Sequence, residues 1–374
     1  MRIIHCADLH LDSKLSANLD SEKRKERKAE LLKTFERMVS YAKDNNVRAI
    51  IIAGDLFDTN TISKTAGNTV YYNIVNNPEI DFYYLKGNHD ANDYFASMEV
   101  SMEAKPHNLK LFSDELTSYT INPEGTVKVV ITATELNSIN SNTIYNALSL
   151  NARDFNIFTL HGQHVDYNVK DKAEVIHING LKNKGIDYLA LGHIHAYMRG
   201  NIDARGVYCY PGCLEGRGFD ECGEHGFVLL NIDEENGQFT DTFIPFAKRN
   251  IYTVEVDVTD AGNSNDMTDR VRKVLNDKKY SSDSMIKIVL TGSLFVECEI
   301  NTDFILNHFI QDYYFVKLYD ETKLKIDYTQ YEHDASLKGE FIRLVRADDT
   351  MDEDMKNEII RMGIRALSGE EITV

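Results

Sequence analysis

The sequence predicts an α/β protein whose strands deliver polar residues to one common edge, and three observations carry that expectation. The run Ala49-Ile50-Ile51-Ile52-Ala53 is apolar without alternation, as suits a central parallel strand covered on both faces, and it stops at Gly54 before presenting Asp55 and Asp58. An opening strand, Arg2 to Ala7, reaches it through the helical spacing of Leu31, Leu32, Phe35, Met38, Val39 and Ala42, so the chain begins as a βαβ unit. The same punctuation, an apolar strand closed by polar residues, occurs five times before residue 200. In open α/β sheets that carboxyl edge is where ligands bind.

Composition narrows the alternatives. A chain of 374 residues with 43% hydrophobic content exceeds one typical domain and carries enough apolar surface for a large core. No apolar run approaches the length of a membrane span, and Arg2-Ile3-Ile4-His5-Cys6-Ala7 lacks a signal-peptide layout, so a cytoplasmic protein without membrane association is expected. Cys6, Cys209, Cys213, Cys222 and Cys298 are few and odd in number, which argues for reduced thiols. With 41 Lys+Arg against 59 Asp+Glu, the formal net charge of −18 has the wrong sign for coating nucleic acid without a local basic patch or metal ions.

Taken in order, the opening strand ends in Asp8-Leu9-His10, and two such residues spaced by one can point the same way as chelators. The helix from Asp20 to Asn46 starts with the basic cluster Lys23-Arg24-Lys25-Glu26-Arg27-Lys28, which reads first as a solvated face and second as a phosphate contact. A helix from Ile62 to Asn76 and a strand from Asp81 to Leu85 lead to Asn88-His89-Asp90. A strand at Val127 to Thr132 and a helix at Asn140 to Leu150 precede the strand Phe155 to Leu160, which opens into His161-Gly162-Gln163-His164. The strand from Gly185 to Leu191 ends in Gly192-His193-Ile194-His195. Beyond it, strands at Gly206 to Tyr210, Phe227 to Ile232 and Gln238 to Pro245 suggest a second, more antiparallel sheet. Near residue 249 a fresh alternation begins: strands at Ile251 to Val258, Met285 to Leu290 and Tyr314 to Tyr319, with helices at Asp266 to Leu275 and Thr302 to Phe309. Two amphipathic helices close the chain, Ser336 to Val345 and Asp352 to Leu367, with Gly369 after the second. The expected divisions are a catalytic domain over 1–248, a small α/β domain over 249–334 and a helical segment over 335–374.

Collected, the strand-end residues are Asp8, His10, Asp55, Asp58, Asn88, His89, His161, His164, His193 and His195, a mixed carboxylate, imidazole and amide set suited to manganese, iron or zinc. They are too many for one ion, and a two-metal site shares a bridging carboxylate, for which Asp55 is the natural choice. In order, Asp-x-His, Gly-Asp-x-x-Asp, Gly-Asn-His-Asp, a lone His and Gly-His-x-His form a pattern that resembles the calcineurin-like metallophosphoesterases. Within that family Gly54-Asp55-Leu56-Phe57-Asp58-Thr59, the Tyr210-Pro211-Gly212 turn, the 223–226 segment and the added C-terminal domain are most similar to the SbcD-type DNA repair exonucleases. One local departure is Asp12, where relatives often carry glycine.

The resemblance implies a four-layer sandwich of two mixed β-sheets flanked by helices, with the C-terminal α/β domain as a cap. It implies one metal held by Asp8, His10, Asp55 and His195 and a second by Asp55, Asn88, His161 and His193, both divalent, with manganese expected and iron or zinc as alternatives. His89 would be catalytic, with Asp90 orienting it, and a water activated between the ions would attack phosphorus in line. Asp58 reads equally as a partner of a ligand histidine or a substrate-facing residue; Arg217 is a candidate phosphate contact, its bland alternative being an ordinary hairpin. His161 is preferred to His164 because it stands at the strand end. His5 reads as structural; His107, His177, His225, His308 and His333 read as packing or surface residues, and Cys209, Cys213, Cys222 and His225 have a spacing that disfavours a zinc site. The implied activity is a DNA nuclease working with a coiled-coil, SMC-like ATPase of the SbcC type, with a homodimer as a further expectation. The alternatives are a phosphoesterase for small phosphates, which the acidic charge favours, and a non-catalytic metal-binding scaffold for that ATPase.

Overall fold

The structure is a computed structural model that describes residues 1–374 except 16–18, 59–61, 91–94, 96–105, 166–173, 296–297, 299, 326–330 and 368–374, so Thr59 and Gly369 lie outside the described residues. The chain divides into two compact units, Met1–Asn250 and Ile251–Val374.

Two six-stranded sheets build the first unit. In one, Phe239–Pro245, Gly226–Ile232, Arg2–Cys6, Ala49–Ala53, Asp81–Leu85 and Leu109–Leu111 lie side by side in that order. The last four run parallel, and Gly226–Ile232 runs antiparallel against Arg2–Cys6. In the other the order is Met198–Asn201, Val207–Tyr210, Tyr188–Gly192, Phe155–His161, Val129–Ala133 and Thr117–Thr120, with antiparallel strands only at its two edges.

The layering explains why Ala49–Ala53 does not alternate. Ile50 and Ile52 belong to a core with Phe35, Met38 and Val70 of the helices Ser21–Asp44 and Lys64–Val75. Ala49 and Ile51 belong to a different core, shared with Ile131, Ile157 and Tyr188 of the second sheet. A strand wetted on neither face has no polar period. Truncating any of these isoleucines to alanine costs about 2–5 kcal/mol, so the run is held apolar throughout. On the far side of the second sheet Phe158, Leu160, Leu189 and Leu191 pack with Ile144 and Ile178 of two short helices, Ile144–Ala147 and Ile178–Leu181. The layers are helix, sheet, sheet, helix.

Three expectations are corrected. The strands Val207–Tyr210, Gly226–Ile232 and Phe239–Pro245 do not form a separate antiparallel sheet; the first pairs parallel with Tyr188–Gly192, and the other two extend the first sheet. The reason lies in Gly226–Ile232, whose Phe227 and Leu229 join the helix-side core while Val228, Leu230 and Ile232 join the core between the sheets. A strand apolar on both faces needs a place inside the sandwich. The helix expected over 140–150 shrinks to Ile144–Ala147, because Asn140 binds backbone instead, accepting from Asn137 N at 2.9 Å and donating to Glu135 O at 2.7 Å. Within the basic cluster, Arg27 is neither solvated nor available to a phosphate: it is fully buried, pairing with Glu30 at 2.5 Å and donating to Gly216 O at 2.8 Å and Glu215 at 3.3 Å. Thr34 donates to Glu215 at 2.8 Å, so this helix anchors the 215–217 segment from beneath.

In the second unit Ile251–Asp257, Met285–Thr291 and Phe315–Asp320 form a parallel sheet whose Val254, Val256, Ile286, Ile288 and Val316 pack with Val271 and Leu275 of the helix Ser264–Lys278. The helices Leu337–Arg346 and Glu353–Leu367 share a small core of Ile342, Val345, Ile360 and Ile364 with Tyr331. No described helix is long and apolar enough to cross a membrane.

His5 gives this core a pH dependence. It is fully buried with Nδ1 2.9 Å from the Tyr188 hydroxyl, and burial lowers its pKa from 6.5 to about 3. Between those values the unfolded chain binds a proton that the folded chain does not, so stability falls as pH falls. Urea unfolding of His5→Gln should show an acid-side slope shallower than wild type by up to about 1.4 kcal/mol per pH unit between pH 6.5 and 3; equal slopes would show that His5 is not held neutral.

Candidate metal centre

Five connections gather at the carboxyl edges of the two sheets. Asp8 and His10 follow Arg2–Cys6, Asp55 and Asp58 follow Ala49–Ala53, and Asn88, His89 and Asp90 follow Asp81–Leu85. His161 ends its own strand, and His193 and His195 follow Tyr188–Gly192. The first two connections are zipped together by backbone: Asp8 N donates to Gly54 O at 3.1 Å, His10 N to Asp55 O at 3.0 Å and Leu11 N to Leu56 O at 2.9 Å. Asp8, His10, Asp55 and His193 adopt φ of +51°, +45°, +52° and +102°. Side chains rarely hold that region without compensation, and such strain concentrates at functional sites. Asp12 lies at φ +66°, a conformation glycine adopts freely, and it is held there by accepting from Ser63 N at 2.7 Å.

Donor atoms converge in three groups: Asp8, His10 and His195; Asp8, Asp55 and His161; and His10, Asp58 and His89. His161 Nδ1 lies 2.9 Å from the Ala53 carbonyl, which only accepts, so Nδ1 carries the proton and Nε2 turns to Asn88 Oδ1 at 3.0 Å and Asp55 Oδ2 at 3.5 Å. His195 Nδ1 lies 2.7 Å from Glu221, which leaves its Nε2 facing His10 Nε2 at 3.1 Å. His193 stands beside them, its ring edge-on to His161 at 5.4 Å and its backbone N donating to both Asp8 oxygens at 2.9 and 3.0 Å. Buried carboxylates gathered around inward-facing imidazole nitrogens are groups that a divalent cation among them would satisfy together. The donor set therefore fits bound divalent metal.

The local field agrees. Burial raises the Asp8 carboxyl to about 6. Burial acts the same way on Asp55, but its hydrogen bond to His161 and that ring's charge outweigh it and hold the carboxyl at about 2. For His161 burial favours the neutral ring, yet Asp55 and Asp8 lift it to about 9. The carboxylates that would hold a cation here retain a proton on that imidazole.

His89 is placed differently. Its backbone N donates to Asp55 Oδ1 at 2.9 Å, while its side chain is 49% exposed with Nδ1 2.9 Å from Asp58 Oδ1. Asp58 also accepts from Ser13 Oγ at 2.7 Å and Arg217 Nη1 at 3.3 Å. Burial alone would raise its carboxyl, but hydrogen bonds from His10 and Ser13 hold it well below the usual range. Asp90, expected to orient His89, is instead taken by the amides of Leu56, Phe57 and Gly87 at 3.2, 2.8 and 2.9 Å. A buried carboxylate satisfies several turn amides at once. Asp58 orients His89 in its place.

His164 stands apart from the donor groups, its ring 4.9 Å from Tyr208 and its backbone N donating to Tyr210 Oη at 2.9 Å. Cys213 Sγ meets His225 Nδ1 at 3.2 Å, but Cys222 turns to Phe219 O and Cys209 lies in the core between the sheets, so those four residues do not converge. Glu221 escaped the sequence reading. It lies in an irregular segment, and a carboxylate four residues after Arg217 outside a helix has no recognisable period.

Gly54 makes the geometry testable. At φ +94°, a Cβ there would stand 2.1 Å from His161 Nδ1. Gly54→Ala should push the ring off the Ala53 carbonyl, weaken manganese binding and cost on the order of 1–3 kcal/mol in urea unfolding. Wild-type affinity and stability together would mean that the loop yields without moving His161.

The chain matches the calcineurin-like phosphoesterase family over residues 1–197. It is 26% identical over 301 residues to the uncharacterized metallophosphoesterase YhaO of Bacillus subtilis, an alignment covering 78% of this chain and 72% of that protein. It is 24% identical over 301 residues to the DNA double-strand break repair protein Mre11 of Aeropyrum pernix, covering 76% of this chain and 71% of that one. Among solved structures, TT1561 of Thermus thermophilus superposes with a TM-score of 0.42 at 13% identity, over 65% of this chain and 98% of its own. With more than half of its length matched and clusters of metal-ligating side chains at its strand ends, the chain belongs to the calcineurin-like phosphoesterase family and is a metallophosphoesterase.

Proposed function

We propose that the protein is a two-metal phosphodiesterase acting on DNA, a nuclease of the SbcD type with a role in DNA repair. The observation that supports this reading is the reach of the similarity to the Aeropyrum pernix repair protein, which takes in 76% of the chain, a share that residues 1–197 alone cannot supply. In this reading, which follows the family resemblance, Asp8, His10, Asp55 and His195 would hold one ion and Asp55, Asn88, His161 and His193 the other, with manganese the expected metal and iron or zinc the alternatives; the convergence of Asp8, His10 and His195 and of Asp8, Asp55 and His161 supports it. When bound, the ions would lower the pKa of a water and neutralise charge developing on the phosphoryl oxygens. His89 meets Asp58 through Nδ1, which fixes the ring of this half-exposed side chain, and its Nε2 would serve as hydrogen-bond partner or proton donor to the leaving oxygen. Asp90 braces the loop that carries His89.

The reading extends to a coiled-coil ATPase partner. The two final helices leave Leu337, Leu344, Met355 and Met362 exposed beside their small core, which supports a docking role for them. The charge of −18 favours a second reading, hydrolysis of small phosphate esters.

Metal analysis tests the ligand assignment: Asp55→Ala should lose both ions together, whereas His10→Ala should weaken chiefly one, and an Asp55 variant retaining both would end the bridging role. For the substrate, protein with manganese is incubated with linear duplex DNA, single-stranded DNA and a chromogenic diester. DNA should be degraded, and His89→Ala should slow the reaction about 10²–10⁴-fold at unchanged metal content. Cleavage of the diester with DNA left intact would favour the small-ester reading.

A further inference from the structure

The family motifs leave Glu221 without a role, yet its side chain is almost wholly buried at the back of the centre. Oε2 accepts from Arg217 N at 2.7 Å, and Oε1 accepts from Arg217 Nη2 at 2.7 Å and from His195 Nδ1 at 2.7 Å. Its own carbonyl accepts from His225 Nε2 at 2.9 Å, so His225 Nδ1 is free to accept the Cys213 thiol proton at 3.2 Å, and the segment carrying Glu221 is pinned at both ends. Arg217 continues the chain through Nη1 to Asp58 at 3.3 Å, and Asp58 meets His89 at 2.9 Å.

We propose that Glu221 is a positioning residue that fixes the tautomer and orientation of His195, and that through Arg217 and Asp58 it ties this metal-facing imidazole to the half-exposed His89. The inference rests on reading His195 as a ligand of one ion. Arg217 Nη2 also approaches His195 Nδ1, at 3.2 Å, but the Glu221 carboxylate is nearer at 2.7 Å and can only accept, which places the proton on Nδ1 and leaves Nε2 to present its lone pair. Glutamine at 221 would keep nearly the same shape but turn an N–H₂ group toward donors of Arg217 or His195. That network cannot be satisfied, and the charge that makes His195 a better ligand is gone. Partners of this kind are worth about 10–100-fold in metal affinity.

The test uses the full chain stripped of metal. Mn²⁺ is titrated in competition with a fluorescent chelator, Co²⁺ binding is followed by its visible absorption, and unfolding of the metal-free protein is recorded in parallel. Glu221→Gln should weaken one of the two binding steps about 10–100-fold and change the Co²⁺ band of that site, while the step that does not use His195 keeps its affinity. Glu221→Asp, which retains the charge but withdraws it by one methylene, should fall between wild type and Glu221→Gln and covers the case in which the glutamine variant folds poorly. Glu224→Gln, exposed on the same segment, should match wild type. Unchanged affinity in both Glu221 variants, or equal weakening of both steps as a merely loosened fold would give, overturns the proposal. Failure of the wild-type protein to bind any divalent ion would instead remove the metal reading on which it rests.

Discussion

Polar groups of like character held face to face, away from bulk water, are the constraint on which the rest of the structure depends. Asp8 and Asp55 are buried within reach of one another, and the Nε2 atoms of His10 and His195 lie 3.1 Å apart. Left to themselves such groups would separate or take up solvent, since uncompensated burial of a charge costs several kcal/mol. They stay because each is carried on a strand end that cannot move without breaking a core. Ile50 and Ile52 bind the central strand to the helices and Ile51 binds it to the second sheet, so Asp55 is delivered from a strand gripped on both faces. The left-handed backbone at Asp8, His10, Asp55 and His193 is the local expression of the same constraint.

Much of this was legible in the sequence because strand and site share a signal. Unbroken apolar runs followed by Asp, Asn or His mark both a buried parallel strand and its ligand-bearing end, and the collected strand-end residues, His164 excepted, lie together. What stayed hidden was whatever depends on side chains reaching across the fold. Asp58 and Asp90 flank the same loops and look alike in sequence; only the geometry places Asp58 on His89 and Asp90 on backbone amides. Arg27 sits in a run of charges typical of a solvated helix, and its burial against Glu30 and Glu215 follows from the 215–217 segment packing over it, 188 residues later in the chain. The strands after residue 205 are recognisable as strands, but their glycine-rich turns point to the wrong sheet, because pairing depends on which face each one buries. Asn140 had helical neighbours and a competing set of local hydrogen bonds, and the bonds prevailed.

The centre divides its work between two kinds of histidine. His161 and His195 have one nitrogen committed, to the Ala53 carbonyl and to Glu221, which aims the other inward. His89 commits its Nδ1 to Asp58, within the donor group these two share with His10, and its side chain stays half exposed. In the proposed reading the inward donors would hold cations against the phosphoryl oxygens and the half-exposed imidazole would serve the leaving group. Asp55 joins the two, since one oxygen accepts from His89 N at 2.9 Å while the other lies 3.5 Å from His161 and 3.8 Å from His10.

In the proposed reading the five connections hold two ions that share one carboxylate. Electron paramagnetic resonance of the manganese-loaded protein addresses it most directly, because ions roughly 3.5–4 Å apart with a common ligand are magnetically coupled. Two manganese ions per chain and the spectrum of an exchange-coupled pair are expected. A single ion, or two ions with the six-line spectrum of isolated manganese, would contradict that reading.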